Sequence, residues 1–300
     1  AERRPIVFNF PSYDLQWEDL GEYQPPRLQT PDRAGTQLDT EALELAVGII
    51  ASSKRPIVLA GYGVVTSGQA DAVLKLARRL DAPVMTTLRT KDLYRGEPNN
   101  LGVLGISGRE EVTEAVGVSD CVIAFGASLH MFTTANGTLL AKKRLVMVTD
   151  DRSEIGRTMA VDAAILGEPG AVAERMLYWL DEAEIPSSQF ASEEVVTQAV
   201  AAINASYDAS LPAPSDAPIT IGQALLAVEH AVQQQRLLVT DGGRFMRQPW
   251  QLMRVQHPRH FIAGNLFGAI GTGIGYAIGA AVAERGLPTL AVVGDGGFML

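Results

Sequence analysis

Short apolar runs that alternate with helical patterns are the feature that most limits what this chain can fold into. Residues 56–60 and 121–125 are apolar at every position, and amphipathic segments separate such runs. A strand that is apolar throughout is buried on both faces, which is typical of a parallel sheet covered by helices. The sequence therefore predicts an α/β fold, a Rossmann-like parallel sheet followed by the beginning of a second α/β domain.

The predicted elements fall into two groups along the chain. The predicted strands are 56–60, 83–87, 121–125, 144–148 and 163–166 in the first group, and 237–240 and 289–293 in the second. Helices are predicted from Asp39 as a cap, from Ser67, over 110–118, over 171–180, around 193–205 and around 225–232.

Polar and proline-rich segments divide the chain further. Residues 13–38 and 182–217 are predicted to be linkers, the second with a helix inside it. A central Rossmann-like domain is predicted over 39–181, and a second α/β domain begins within 218–300. Residues 1–12 contain an apolar run that reads as a strand but has no evident partner nearby.

Composition narrows the class of partner and compartment. The net charge of −9 argues against nucleic acid or an anionic membrane surface as the main partner. A single cysteine, Cys121, excludes a disulfide scaffold and a cysteine zinc cluster. Residues 261–283 carry no charge and are long enough to span a membrane, but their six glycines and Asn265 favour a globular interpretation. We expect a cytoplasmic protein with no membrane partner.

Two predicted strands end in aspartate and glycine. Asp241-Gly242-Gly243 follows one strand, and Gly294-Asp295-Gly296 follows the other. Glycine lets a phosphate approach backbone N–H groups, and an aspartate beside it suits a hard cation. Ligands of open parallel sheets bind at the carboxyl ends of strands, so the two turns together predict a phosphate and metal site. Either turn alone is equally typical of an ordinary aspartate turn.

Several segments resemble a known enzyme family. Residues 293–298 (VGDGGF) resemble the start of the thiamine diphosphate signature, and residues 267–280 resemble the segment before it in the acetolactate synthase-like family. Residues 239–243 are similar to that family's diphosphate-side turn. Residues 55–63 and 150–156 resemble its central Rossmann-type domain. The similar segments follow one another in the family's order over nearly the whole chain.

The resemblance implies a role for each matching residue. Asp295 would bind the Mg²⁺ that anchors the diphosphate, and Ile270 matches the bulky residue that holds the cofactor in a bent shape. The implied cofactor-binding residues are Asp241, Gly243, Arg244, Phe245, Ala269, Ile270, Gly294, Gly296 and Gly297. For Arg244 and Arg247, contact with the diphosphate or a substrate carboxylate and a solvent-facing position are the alternatives.

The activity that the resemblance implies is a thiamine diphosphate- and Mg²⁺-dependent 2-oxo acid decarboxylase or carboligase, a lyase or a transferase. A small 2-oxo acid would be the substrate, and a homodimer or homotetramer the assembly. The alternatives are a flavin- or nicotinamide-linked Rossmann oxidoreductase and a non-catalytic relative. A nicotinamide site is disfavoured because Gly61-Tyr62-Gly63 is followed by no third glycine at the required place.

Further expectations concern parts that the family has and this chain lacks. The family's catalytic glutamate lies in a pyrimidine-binding domain expected before Ala1, and residues 1–12 would hold that domain's last strand. An asparagine metal ligand is expected after Leu300. The catalytic residue is therefore unknown, and these 300 residues alone are expected to be inactive. In flavin-containing relatives the turn after the third strand usually carries arginine, whereas Ser128 stands here, which favours an empty site over bound FAD.

Overall fold

The computed structural model describes residues 21–22, 38, 40–208, 218–232, 235–264 and 268–300. The chain divides into two units, Ala1–Gly35 and Thr36–Leu300, and nearly all described residues belong to the second. The strand predicted within 1–12 lies outside the described residues, as does the linker predicted over 13–38 apart from residues 21, 22 and 38.

Strands and helices of the second unit follow one another in the predicted alternation. The strands are β1 (Pro56–Ala60), β2 (Val84–Thr86), β3 (Asn100–Val103), β4 (Cys121–Phe125), β5 (Arg144–Thr149), β6 (Ala163–Leu166), β7 (Leu237–Asp241), β8 (Phe261–Gly264) and β9 (Thr289–Val292). The α-helices are α1 (Glu41–Ser52), α2 (Tyr62–Ser67), α3 (Ala70–Leu80), α4 (Thr113–Val118), α5 (Met131–Thr134), α6 (Pro169–Glu182), α7 (Glu194–Tyr207), α8 (Ile221–Ala231), α9 (Arg247–Leu252), α10 (Gly273–Ala283) and α11 (Asp295–Phe298). Short 3₁₀ turns lie at Leu88–Thr90, Glu110–Val112, Thr138–Leu140, Arg152–Glu154, Phe190–Ser192 and Pro258–His260.

The first six strands form one parallel sheet in the order β3-β2-β1-β4-β5-β6. The strand order reverses between β1 and β4, which pair in register from Pro56 beside Cys121 to Ala60 beside Phe125. This is the doubly wound arrangement in which the crossover helices cover both faces of the sheet. The predicted α/β fold class is confirmed.

The two faces of this central sheet bury alternate residues of the same strands. Val58 and Ile123 lie in a core with residues of α1, α3 and α6, whereas their neighbours Ile57 and Val122 lie in a core with residues of α4 and α7. Burying such a side chain contributes about 1.5–3 kcal/mol relative to leaving it exposed. Burial on both faces is the physical reason that these strands are apolar at every position.

The segment predicted as a linker over 182–217 contains its predicted helix, which is α7. Phe190, Val196 and Ile203 of this segment are buried, and they belong to the second core of the central sheet. This part of the segment is therefore a packed layer of the sheet and not an extended connection. The prolines toward the end of the segment, Pro212 and Pro214, favoured the linker interpretation, and they follow α7 in the sequence.

Two helix starts differ from the prediction. The first helix is capped by Thr40, whose hydroxyl accepts a hydrogen bond from Leu43 N, and Asp39 lies outside the described residues. Ser67, predicted to open a helix, instead ends α2. Gly68 then adopts a left-handed conformation (φ 71°) before α3 begins, which is a common way for a helix to end.

The last three strands form a second parallel sheet in the order β8-β7-β9. The uncharged stretch 261–283 is divided between β8 and α10, and α10 has 11 residues. Across the described part of the chain, no helix combines the length and the apolar character that crossing a membrane requires.

The loop after β2 in the central sheet contacts the segment before β8 through two adjacent charged residues, Lys91 and Asp92. Lys91 is buried and donates hydrogen bonds to Met253 O and to Asp92 Oδ2, each at 2.7 Å. Asp92 Oδ2 also accepts a hydrogen bond from Val255 N at 2.8 Å. The buried Lys91 ammonium thus has two acceptors, so the contact of this loop with the residues before β8 avoids the large cost of an unpaired buried charge.

Candidate functional site

The carboxyl ends of β7, β8 and β9 bring three glycine-rich segments together. These are residues 241–245 after β7, residues 268–273 before α10, and residues 293–298 after β9. A Cβ added to Gly242 would lie 2.8 Å from Ala269 O, and one added to Gly297 would lie 3.3 Å from Ile270 Cγ2. The structure thus collects the predicted site residues at one edge of the second sheet.

Asp241, at the end of β7, binds the backbone of the segment before α10. Its side chain is buried; Oδ2 accepts a hydrogen bond from Gly271 N at 2.8 Å, and Oδ1 accepts one from Gly273 N at 3.1 Å. Because Gly273 begins α10, the carboxylate also lies at the positive end of that helix dipole. Both carboxylate oxygens of Asp241 are engaged, so its described contacts make it a residue that positions the loop.

Two glycines are required by their distance from Asp241. A Cβ on Gly273 would lie 2.6 Å from Asp241 Cβ, and one on Gly297 would overlap Asp241 Oδ2. Gly297 was among the predicted cofactor-binding residues, and its packing against Asp241 is an independent reason for glycine there. The sequence interpretation assigned no role to Gly271 or Gly273, although the spacing of glycines in this segment was the signal for close backbone contact.

Phe245 lies between the turn after β7 and the turn after β9. A Cβ on Gly243 would lie 2.9 Å from Phe245 Cε1, and a Cβ on Gly294 would lie 3.1 Å from the same atom. Gly243 has a φ of 150°, a conformation that side chains rarely allow. The half-buried ring therefore fixes the spacing of the two turns that the sequence assigns to a diphosphate.

The outer surface of this edge is open. Asp295 begins α11 and is exposed. Among the described residues, no atom beyond the chain neighbours of Gly296 lies within 4 Å of where a Gly296 Cβ would be. Ile270 is 53% exposed beside them. Within the described ranges, no group of three or more His, Cys, Asp or Glu side chains is arranged to hold a metal ion.

The two arginines near the site differ in their surroundings. Arg247 Nη2 donates a hydrogen bond to Gly108 O of the central domain at 3.0 Å. Arg244 is exposed on the turn after β7. Of the two alternatives stated for Arg247, its hydrogen bond favours a structural contact over one with substrate.

The carboxyl edge of the central sheet is closed by its own loops. A Cβ on Gly61 would overlap Gly126 O and would lie 2.5 Å from Ala127 Cα, so the turns after β1 and β4 touch through their backbones. Ile106 N donates a hydrogen bond to Phe132 O at 2.9 Å. Ile106 follows β3 and Phe132 follows β4. Since β2 and β1 lie between these two strands in the sheet, the hydrogen bond passes across the carboxyl ends of β2 and β1.

Comparison with known proteins matches both sheets to one family. Residues 43–176 match the domain described as "Thiamine pyrophosphate enzyme, central domain". Residues 241–300 match "Thiamine pyrophosphate enzyme, C-terminal TPP binding domain", and the two matches together cover well over half of the chain. The chain belongs to the thiamine pyrophosphate enzymes. The predicted family resemblance is confirmed, and all three converging segments of this thiamine pyrophosphate enzyme lie in the matched cofactor-binding domain.

Individual relatives of this thiamine pyrophosphate enzyme carry several names. A probable acetolactate synthase large subunit of Methanococcus aeolicus is 30% identical over 268 residues, covering 86% of this chain and 45% of the relative. A sulfoacetaldehyde acetyltransferase of Roseovarius nubinhibens is 26% identical, covering 86% and 46%. An acetolactate synthase large subunit of Lactococcus lactis is 25% identical, covering 99% and 50%. The chain spans about half the length of the curated relatives it matches.

Proposed function

We propose that this edge of the second sheet is the diphosphate-binding half of a thiamine diphosphate- and Mg²⁺-dependent active site, in an enzyme that decarboxylates or joins 2-oxo acids. One observation carries the proposal: the turns after β7 and β9 meet the loop of Ala269 and Ile270 and leave backbone and a carboxylate exposed. The names of the relatives support the class of reaction.

The donor set fits a magnesium diphosphate. Mg²⁺ in such sites is held by one or two carboxylates together with phosphate oxygens and water, and not by a full protein cage. Asp295 would supply the carboxylate, and the exposed backbone around Gly296 leaves room for phosphate oxygens. Gly243 and Arg244 would face the diphosphate from the turn after β7, which Phe245 holds at a fixed spacing.

The remaining residues would position the cofactor. Ala269 would present its backbone to the pyrimidine, and the exposed Ile270 side chain would support the bend of the cofactor. Thiamine diphosphate, when bound, supplies the electron sink that carbon dioxide loss from a 2-oxo acid requires. Asp241 would keep the loop of Ala269 and Ile270 in place through its hydrogen bonds to the backbone N–H groups that follow.

The type of reaction and the assembly are part of the proposal. The name sulfoacetaldehyde acetyltransferase describes group transfer, which favours a carboligase or transferase over a simple lyase for this chain. We propose a homodimer or homotetramer, as the family resemblance implies. The net charge of −9 supports a small-molecule substrate over nucleic acid, in a cytoplasmic enzyme.

The test compares two exposed aspartates that each follow a strand. Asp295→Asn should weaken thiamine diphosphate binding in the presence of Mg²⁺ at least about tenfold, because it removes a metal ligand. Asp150→Asn, which follows β5 of the central sheet, should leave the affinity unchanged. Isothermal titration of the complete gene product with thiamine diphosphate, with and without chelator, measures both effects.

Two results would count against the proposal. Equal affinity in wild type and Asp295→Asn would remove the metal assignment, and affinity that does not respond to chelator would remove Mg²⁺ altogether. The visible absorbance of the same preparations distinguishes the main alternative. A stoichiometric flavin spectrum without thiamine diphosphate binding would favour an oxidoreductase.

A further inference from the structure

A cavity lies at the junction of the central domain and the cofactor domain, apart from the candidate site. It has a volume of about 160 Å³ and is lined by the loop before and after β3, the end of α7 and the residues around the end of α9. At about 30 Å³ per molecule of liquid water, this space corresponds to roughly five waters. A space of this size suits a ligand of few atoms.

The cavity has an excess of positive charge in an acidic protein. Its basic lining residues are Lys91, Arg95, Arg109 and Arg254, and its acidic ones are Asp92 and Glu97. Both carboxylates are already paired: Asp92 with Lys91 Nζ at 2.7 Å, and Glu97 with Arg78 Nη2 at 2.5 Å. Arg109 pairs in turn with Glu111 Oε1 at 3.9 Å, and the basic lining residues outnumber the acidic ones by four to two in a chain of net charge −9.

Arg254 is the arginine with the most unused hydrogen-bonding capacity. Its guanidinium stacks 3.5 Å from the centre of the Tyr207 ring, and the residue is half-buried. Considering only the part of the chain that the structure describes, the guanidinium has no hydrogen-bond acceptor and no ion pair. A stacked guanidinium keeps its plane fixed while its N–H groups remain available at the edge, which suits a planar or tetrahedral oxyanion.

The Tyr207 ring also contacts Arg109. The Arg109 guanidinium lies 4.6 Å from the ring centre and donates hydrogen bonds to Ser206 Oγ, at 2.7 Å, and to Gln251 O. Gln251 in turn donates a hydrogen bond to Gly108 O at 2.7 Å. Arg109 is therefore a positioning residue: it fixes the tyrosine on which Arg254 lies and joins α7 to α9.

We propose that this cavity binds a small oxyanion, a phosphate or a short carboxylate, through Arg254, with Arg95 at the cavity mouth. The site is separate from the turns of Gly243 and Asp295, and the proposal does not depend on the function assigned to them. The anion would form charge-assisted hydrogen bonds with a guanidinium that is already oriented, so little side-chain freedom would be lost on binding.

The test uses two anions and a matched arginine. Inorganic phosphate and malonate are titrated into the complete gene product by calorimetry at constant ionic strength. Arg254→Gln should weaken binding of the preferred anion at least about tenfold, because charge-assisted hydrogen bonds are lost. Arg175→Gln is the control, since Arg175 also stacks on aromatic rings, those of Tyr178 and Trp179, but lies outside the cavity.

Each outcome decides the question. Phosphate binding that Arg254→Gln weakens and Arg175→Gln preserves supports a phosphate site, and the same pattern with malonate alone supports a carboxylate site. Failure of wild type to bind either anion, or equal loss in both variants, overturns the proposal. Thermal unfolding without anion checks that Arg254→Gln folds. If it does not, Arg95→Gln, an exposed substitution, should weaken the same binding, and unchanged binding in that variant overturns the proposal.

Discussion

The two parallel sheets of this protein end in very different edges. At the central sheet, the turns after β1 and β4 touch through Gly61 and Gly126, and the loops after β3 and β4 are joined by a hydrogen bond. At the second sheet, Asp295, Gly296 and Ile270 are exposed. Both edges are places where parallel sheets commonly bind ligands. At the second sheet the aspartate lies beside exposed glycine backbone, whereas at the central sheet the glycines of the turns after β1 and β4 pack against each other.

The comparison shows what a glycine at a strand end can mean. Gly61 and Gly126 are glycines because two protein backbones approach each other, whereas among the described residues no atom beyond the chain neighbours of Gly296 lies within 4 Å of where its Cβ would be. The same residue type therefore serves protein packing at one edge and leaves room at the other. Glycine content alone does not indicate a binding site; the atoms that a Cβ would meet distinguish the two cases.

The largest expected effect is at the closed edge. Gly61→Ala places a methyl group against Gly126 O and Ala127 Cα, and both are backbone atoms that cannot move away without shifting a strand. We expect the free energy of unfolding to fall by about 3 kcal/mol. Urea denaturation followed by circular dichroism measures this change.

A glycine without neighbours provides the control for that substitution. Gly48 lies within α1, and a Cβ there would meet no atom within 4 Å. Gly48→Ala should be neutral or stabilising by up to about 1 kcal/mol, because alanine favours helix. If the two variants were equally stable, the central edge would be looser than the described contacts indicate.

The second-largest expected effect is that of removing the Asp241 carboxylate, which binds the backbone of the loop at the open edge. Asp241→Ala leaves Gly271 N and Gly273 N without their acceptors, so we expect the free energy of unfolding to fall by about 2 kcal/mol. Thiamine diphosphate affinity should fall as well, because the loop of Ala269 and Ile270 loses its anchor. Urea denaturation and calorimetry measure the two changes.

A conservative variant separates charge from hydrogen bonding at the same position. Asp241→Asn keeps one acceptor and should cost less than Asp241→Ala. A loss of affinity with unchanged stability would mean instead that Asp241 contacts the cofactor directly, as the family resemblance implies.

Much of the fold was predictable because burial leaves a direct trace in the sequence. Strands such as Pro56–Ala60 and Cys121–Phe125 are apolar at every position since helices cover both faces, and the structure confirms them. The packing of α7 was not predicted, because the polar, proline-containing stretch that follows it in 182–217 favoured a linker. Whether such a helix packs or remains exposed is decided by the sheet it meets.

The location of the candidate site was also predictable, but the parts played by individual side chains were not. The ends of parallel strands share one edge, so Asp241 and Asp295 were expected near each other, and the structure places their turns side by side. No sequence pattern indicates that one carboxylate faces inward to backbone N–H groups while the other faces solvent. The Arg109, Tyr207 and Arg254 cluster, assembled from three distant segments, left no signal at all.

The smallest expected effect on stability is that of Gly296→Ala at the open edge. This variant should change the affinity for thiamine diphosphate while leaving the free energy of unfolding nearly unchanged. Gly296→Ala adds a methyl group where no protein atom lies within 4 Å, so the free energy of unfolding should change by less than about 0.5 kcal/mol. If diphosphate oxygens approach this backbone, the methyl group would weaken their hydrogen bonds and lower thiamine diphosphate affinity about tenfold. Calorimetric titration and urea denaturation of the same protein measure both quantities.

Its neighbour should behave in the opposite way. Gly297→Ala places a methyl group on Asp241 Oδ2 and should destabilise the protein whether or not the cofactor binds. A stable Gly296→Ala variant with unchanged affinity would show that the cofactor does not approach this turn. The exposure of the second edge would then need a different ligand, while the closed central edge would be unaffected, because its contacts are made entirely by the protein itself.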